Sequence, residues 1–220
     1  MQTACFARVQ ETMVGSTLRA ENLHLWRSER HVLRGIGLTV RGGELLQLTG
    51  ANGAGKTTLL RALCGLNHLE EGRVYWNDQD VRDDRAGFHA ALVYLGHEPP
   101  LKPDLSGVEN LRFWTGIRRP VTPATIDAAL LSTGAGEFGT RPVRTLSAGQ
   151  RRRVALAGLV LAAVPLWLLD EPTTNLDSEG QHLVAALVDA HLQAGGLAIA
   201  AVHHGLDIEP ARRRDLNLLA

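Results

Sequence analysis

The chain has 220 residues, 45% of them hydrophobic and 21% charged, and its 23 basic side chains are matched by 23 acidic ones. That balance argues against a nucleic-acid binder held by bulk charge, local patches aside, and suits a globular chain long enough to bury a substantial core. Cys5 and Cys64 alone give neither a disulfide framework nor a cysteine metal site, and no apolar run reaches the roughly 18 residues of a membrane-spanning helix.

Residues 1–16 carry no continuous apolar region and read as a disordered leader, with Met13 an equally good start. From Thr17 to Val40 the apolar residues fall in short alternating runs, which predicts strands of an antiparallel sheet. Within it Trp26 is either a base-stacking aromatic for an adenine ring or an ordinary edge-strand aromatic. Arg41-Gly42-Gly43 turns the chain into a strand over Glu44 to Thr49. The next nine residues, Gly50 to Thr58, match the phosphate-loop pattern G-x-x-x-x-G-K-[ST] at every specified position, and a helix follows through Leu63. In that context Gly50, Asn52, Gly53, Ala54, Gly55, Lys56, Thr57 and Thr58 are candidate nucleotide contacts. The glycines let the backbone close on a polyphosphate, and N–H groups at the helix start point at its oxygens. Lys56 can reach the β- and γ-phosphates, and Thr57 offers a hydroxyl to Mg²⁺. A strand over Arg73 to Trp76 comes next.

Beyond Ala90 the character shifts to helices. After a buried strand over Ala91 to Gly96 and a proline loop, one helix is expected from Ser106 to Trp114 and another from Thr122-Pro123 through Leu131. Leu146-Ser147-Ala148-Gly149-Gln150 opens a third, whose first turn holds Arg151, Arg152 and Arg153. Three arginines there oppose the helix dipole and read as a solvated face or a nucleic-acid contact, with a local contact to a partner surface also open. Pro165 to Leu169 is a continuous apolar run, as expected of a strand buried on both faces of a parallel sheet. It ends in Asp170 and Glu171. A turn to Asp177, an amphipathic helix from Ser178 to Ala194, a buried strand over Leu197 to Val202 with His203-His204 at its tip, and an edge strand over Leu216 to Leu219 complete the prediction.

The chemistry gathers at strand ends. Asp170 is placed to hold the Mg²⁺ that Thr57 also binds, and Glu171 to accept a proton from a water in line with the γ-phosphate, a contribution of ~10²–10⁴ in rate. His203-His204 lacks a third ligand for a metal site of its own.

In order and spacing, Gly50 to Thr58, Leu146 to Gln150, Leu168-Leu169-Asp170-Glu171-Pro172, Asn175-Leu176-Asp177 and His203 resemble the nucleotide-binding domains of ABC ATPases. The resemblance implies an α/β fold: a phosphate-loop NTPase core of ABC type with an N-terminal antiparallel β-subdomain and an inserted α-helical subdomain. It implies a single domain over residues 17–215, with the helical part at about 97–163, and ATP and Mg²⁺ as cofactors. Two such domains pack head to tail, as a homodimer or with a second ABC domain. Ser147, Gly149 and Gln150 would then meet the nucleotide of the opposite chain, Asp177 would shape the interface, and His203 would touch the γ-phosphate and orient Glu171. His97 stands where the family carries a glutamine near the metal and attacking water.

The run Tyr94-Leu95-Gly96-His97-Glu98-Pro99, with Leu101-Lys102 and Val108 to Trp114, is similar to the ATP-binding subunits of haem exporters in bacterial cytochrome c maturation. That likeness implies integral membrane permease subunits as partners and a peripheral place at the cytoplasmic face of the inner membrane. The competing reading is a soluble ABC-type ATPase of translation or DNA repair, which usually carries two nucleotide domains or a coiled-coil insertion.

Overall fold

Residues 15–218 are described by the structure, a computed structural model. The leader expected over residues 1–16 lies outside them save for its last two. Two compact units emerge. One is made of the chain up to Tyr94, Val164–Glu171 and the chain from Val188 on; the other of Leu95–Ala163 and Pro172–Leu187.

The first unit holds both sheets. β1 (Thr17–Arg27), β2 (Arg30–Arg41), β4 (Glu71–Trp76) and β5 (Gln79–Asp80) form an antiparallel sheet in the order β2-β1-β4-β5. Alternation sets its register, since Leu18 and Ala20 are buried opposite Val40 and Leu38; the ladder shifts register between Ala20 and Leu23, after which Leu23 and Leu25 continue the buried face. β3 (Leu45–Thr49), β6 (Leu92–Leu95), β7 (Leu166–Asp170), β8 (Leu197–Ala201) and β9 (Arg213–Asn217) form the second sheet, ordered β6-β7-β8-β3-β9. Every residue of β7 and β8 is buried, in keeping with apolar runs covered on both faces. α1 (Lys56–Leu63) follows β3 and packs Leu59, Leu60 and Leu63 into the core shared by both sheets.

Two features of this unit differ from the sequence expectation. The edge strand is Arg213–Asn217, three residues earlier than the Leu216 to Leu219 run. Its pairing with β3 fixes that register, and Arg213, Arg214 and Asp215 give the open edge charged side chains. A short helix, α2 (Arg85–Ala90), is capped by the Asp84 side chain on Gly87 N–H and buries only Phe88, too little periodicity to declare itself.

In the second unit α3 (Gly107–Gly116), α4 (Pro123–Ser132) and α5 (Ala148–Ala162) surround a core of Leu111, Ile126, Leu130, Val154 and Leu161. Their starts are written in the sequence. Ser106 and Glu109 form a capping box, and Thr122 caps α4 ahead of Pro123. α6 (Ser178–Gln193) follows the Pro172–Asp177 turn and belongs to this unit through Leu187 and to the first from Val188.

Candidate functional site

Three neighbouring parallel strands deliver the site. Leu48 of β3, Ala201 of β8 and Asp170 of β7 lie in one row across the sheet, so Gly50, His203 and Glu171 all emerge at its carboxyl edge. Crevices at that edge are where open α/β sheets place their ligands. A cavity of about 610 Å³ opens there, lined by Asn52, Gly53, Gly55, Lys56, Thr57, Thr58, Glu171 and His203, with Arg27, Arg30 and Val32 completing the wall.

The loop between β3 and α1 requires glycine at two positions. Gly50 has φ 133°, and a Cβ on it would lie 2.5 Å from the Leu218 carbonyl oxygen. Gly55, at φ 101°, precedes the first residue of α1, and its own Cβ would press Val32 at 3.0 Å. Lys56 is buried, and its Nζ donates to the carbonyls of Gly50 at 2.7 Å and Ala51 at 3.2 Å, which holds the ammonium across the loop.

At the helix start Thr57 Oγ1 donates to Asp170 Oδ1 at 3.0 Å. Tyr94 Oη donates to the other carboxylate oxygen at 3.2 Å, so the buried Asp170 is fixed at both ends. A hydroxyl and a carboxylate are hard oxygen donors of the kind Mg²⁺ takes, with phosphate oxygens and water for the rest of its shell. Among the described residues no cluster of three His, Cys, Asp or Glu could hold a metal without such help. Glu171 has φ 49°, a left-handed conformation rare outside glycine, and its backbone N–H donates to Ala201 O at 3.0 Å. His203 Nε2 and Glu171 Oε1 are 2.8 Å apart.

Trp26 does not line the cavity. The residue is 36% exposed, and its ring stacks on His31 at 3.7 Å between centroids and 7° between planes.

The second unit carries Ser147, Gly149, Gln150 and His97. Ser147 and Gln150 form a capping box: Gln150 N–H donates to Ser147 Oγ at 3.2 Å, and the Gln150 side chain accepts from Ser147 N–H at 2.9 Å. A Cβ on Gly149 would stand 2.8 Å from the Asn175 carbonyl oxygen, so no side chain fits. His97 is exposed beside Glu98, Pro99, Arg144 and Arg151 on a cavity of about 400 Å³. The three arginines are not a solvated face. Arg152 is only 2% exposed and donates to the carbonyls of Pro172 at 3.0 Å, Gly96 at 2.8 Å and His97 at 3.3 Å. Arg153 reaches Asp177 at 3.5 Å. Those carbonyls, on two loops, outweigh the unfavourable dipole of the first turn.

Tyr94, Arg27 and Arg30 therefore line or support the site without having been legible as such in the sequence. Only Tyr94 had a signal, a polar hydroxyl inside an apolar strand that must find a partner.

Residues 33–174 match the ABC transporter family. The chain belongs to that family. The ABC chain is an ATP-binding ATPase of this class, and its two sheets and helices are those of the α/β phosphate-loop core. It is 47% identical over 207 residues to the "Cytochrome c biogenesis ATP-binding export protein CcmA" of Methylococcus capsulatus, which covers 94% of this chain and 100% of that one. The protein of the same name from Yersinia pestis is 43% identical, over 86% of this chain and 87% of its own. Among solved structures, a dimeric ATP-binding cassette bound to ADP and Pi in a post-hydrolysis state superposes with a TM-score of 0.80 at 22% identity, over 91% of this ABC chain and 94% of that one.

Proposed function

We propose that this chain is the ATP-hydrolysing subunit of a membrane exporter in cytochrome c biogenesis, with haem as the cargo. The observation that carries this reading is the 47% identity that runs the whole length of a relative named for cytochrome c biogenesis and export. No helix among the described residues is long and apolar enough to cross a membrane. In this reading integral membrane permease subunits supply the path, and this subunit sits peripherally at the cytoplasmic face of the inner membrane.

Gly50, Asn52, Gly53, Ala54, Gly55, Lys56, Thr57 and Thr58 cradle the triphosphate, while Lys56 redirects its ammonium from the loop carbonyls to the β- and γ-phosphates. Thr57 and Asp170 hold Mg²⁺, which offsets charge on the phosphates when bound. Glu171 takes the proton of the attacking water, and His203, bonded to it, keeps the carboxylate aimed. Trp26, whose ring is covered by His31 on one face, would offer its other face to the adenine from beside the cavity, and His97 hydrogen-bonds near the γ-phosphate. Two chains pair head to tail, so that Ser147, Gly149 and Gln150 of one complete the site of the other. The α5 N-terminus suits an anion: its dipole is positive there, and Ser147 keeps a hydroxyl proton to donate.

Deletion of the gene, followed by measurement of c-type cytochromes, tests the export role. We expect their loss, restored by the wild-type chain but not by a Lys56→Ala variant. Normal cytochrome levels would remove the haem-export reading and leave the ATPase.

A further inference from the structure

The β1–β2 hairpin brings two cations to the nucleotide cavity. Arg27 and Arg30 are directly opposite one another across a turn of Ser28 and Glu29, and Ser28 takes φ 52° to close it. The β1–β2 ladder shifts register between Leu25 and Trp26, and beyond that shift Arg27 and Arg30 pair at the hairpin end. Leu25 is buried in the core, and both arginines line the cavity that contains Gly53, Lys56 and Thr58. Arg30 is tied there, its Nη2 donating to Gly53 O at 3.2 Å. Among the described residues neither arginine makes an ion pair with a carboxylate. Two guanidiniums on one cavity wall repel each other, and the carboxylate that lines the same cavity, Glu171, is bonded to His203 and makes an ion pair with neither arginine.

We infer that Arg27 and Arg30 form a cationic clasp over the phosphate loop and donate directly to the phosphates of the bound nucleotide. The clasp rests on the reading of Gly50 to Thr58 as the nucleotide site. A guanidinium has five N–H donors; Arg30 spends one on Gly53, which leaves donors in a fixed fork for phosphate oxygens. Anchored to the loop that grips the same phosphates, Arg30 loses little freedom when it binds them. Its mate at position 27 supplies the second charge, and the pair's mutual repulsion is relieved when an anion comes between them.

Arg27→Gln, Arg30→Gln and the double variant of the full chain test this by equilibrium titration with ATP, ADP and adenosine at two salt concentrations. Both arginines are exposed, so folding is expected to survive, and the adenosine titration checks it. Each substitution should weaken ATP and ADP roughly tenfold, the worth of a charge-assisted hydrogen bond, and leave adenosine unchanged. The salt dependence of ATP binding should flatten, and Arg→Lys at either position should recover part of the loss. An equal loss for adenosine would make the arginines props of the hairpin, and unchanged ATP affinity in the double variant would dispose of the clasp. Lys56→Ala is run beside them: if it too binds ATP normally, the nucleotide site itself is wrong, and the clasp falls with it.

Discussion

Glu171 occupies a backbone conformation that costs on the order of 1–3 kcal/mol for a residue with a side chain. It persists because its N–H is held by β8 through Ala201 and its carboxylate by His203. Restrained at backbone and side chain, Glu171 presents its carboxylate in one fixed orientation. Glu171→Gln keeps the shape and removes the basicity, so ATP affinity should be unchanged while single-turnover phosphate release slows by ~10²–10⁴. Unchanged release would remove Glu171 as the base. Lys56, Thr57, Asp170 and Glu171 were readable from sequence because each holds a fixed place relative to a strand end within a long motif. Arg27 and Arg30 were not, since their approach to Gly53 depends on a hairpin register that no local pattern spells out.

At the scale of elements, α5 begins where two loops meet, and Arg152 is the side chain that ties them. Its guanidinium serves carbonyls of Pro172, Gly96 and His97 from a position almost closed to water. Arg152→Met fills similar space but leaves those oxygens without that donor, and we expect a loss of about 2–4 kcal/mol in chemical denaturation. Gly149→Val is the complementary change. It drives a side chain into the Asn175 carbonyl, so ATP hydrolysis should fall several-fold while nucleotide affinity of the isolated chain holds. Hydrolysis at the wild-type rate would argue against a role for this helix start in the reaction. Helix starts were legible because Ser106, Thr122 and Ser147 each announce a cap, and β7 because an unbroken apolar run has few other homes. The arginine triplet is opaque in sequence because dipole and hydration argue for a solvated face, while the carbonyls that Arg152 binds belong to distant loops.

Across the whole molecule, a buried imidazole sets part of the acid stability. His191 near the end of α6 stacks on Trp167 at 3.9 Å and lies close to the carbonyls of Pro165 and Leu197. Burial lowers its pKa from 6.5 to about 4. In that window the unfolded chain binds a proton that the folded chain refuses, so stability is full above it and falls as the pH drops through it. The share at stake is at most about 3 kcal/mol. Urea denaturation across that range should show this slope, and His191→Gln should flatten it at some cost in stability at neutral pH. The row that joins Leu48, Ala201 and Asp170 carries one more consequence, for synthesis on the ribosome. β3 lies early in the chain, yet both its neighbours, Leu197–Ala201 and Arg213–Asn217, are translated late. Until they emerge the nucleotide loop has no floor beneath Gly50, while Leu95–Ala163 can already pack its own helices. The helices of that part can therefore begin to pack before the nucleotide loop does, whose support waits for Leu197–Ala201 and Arg213–Asn217.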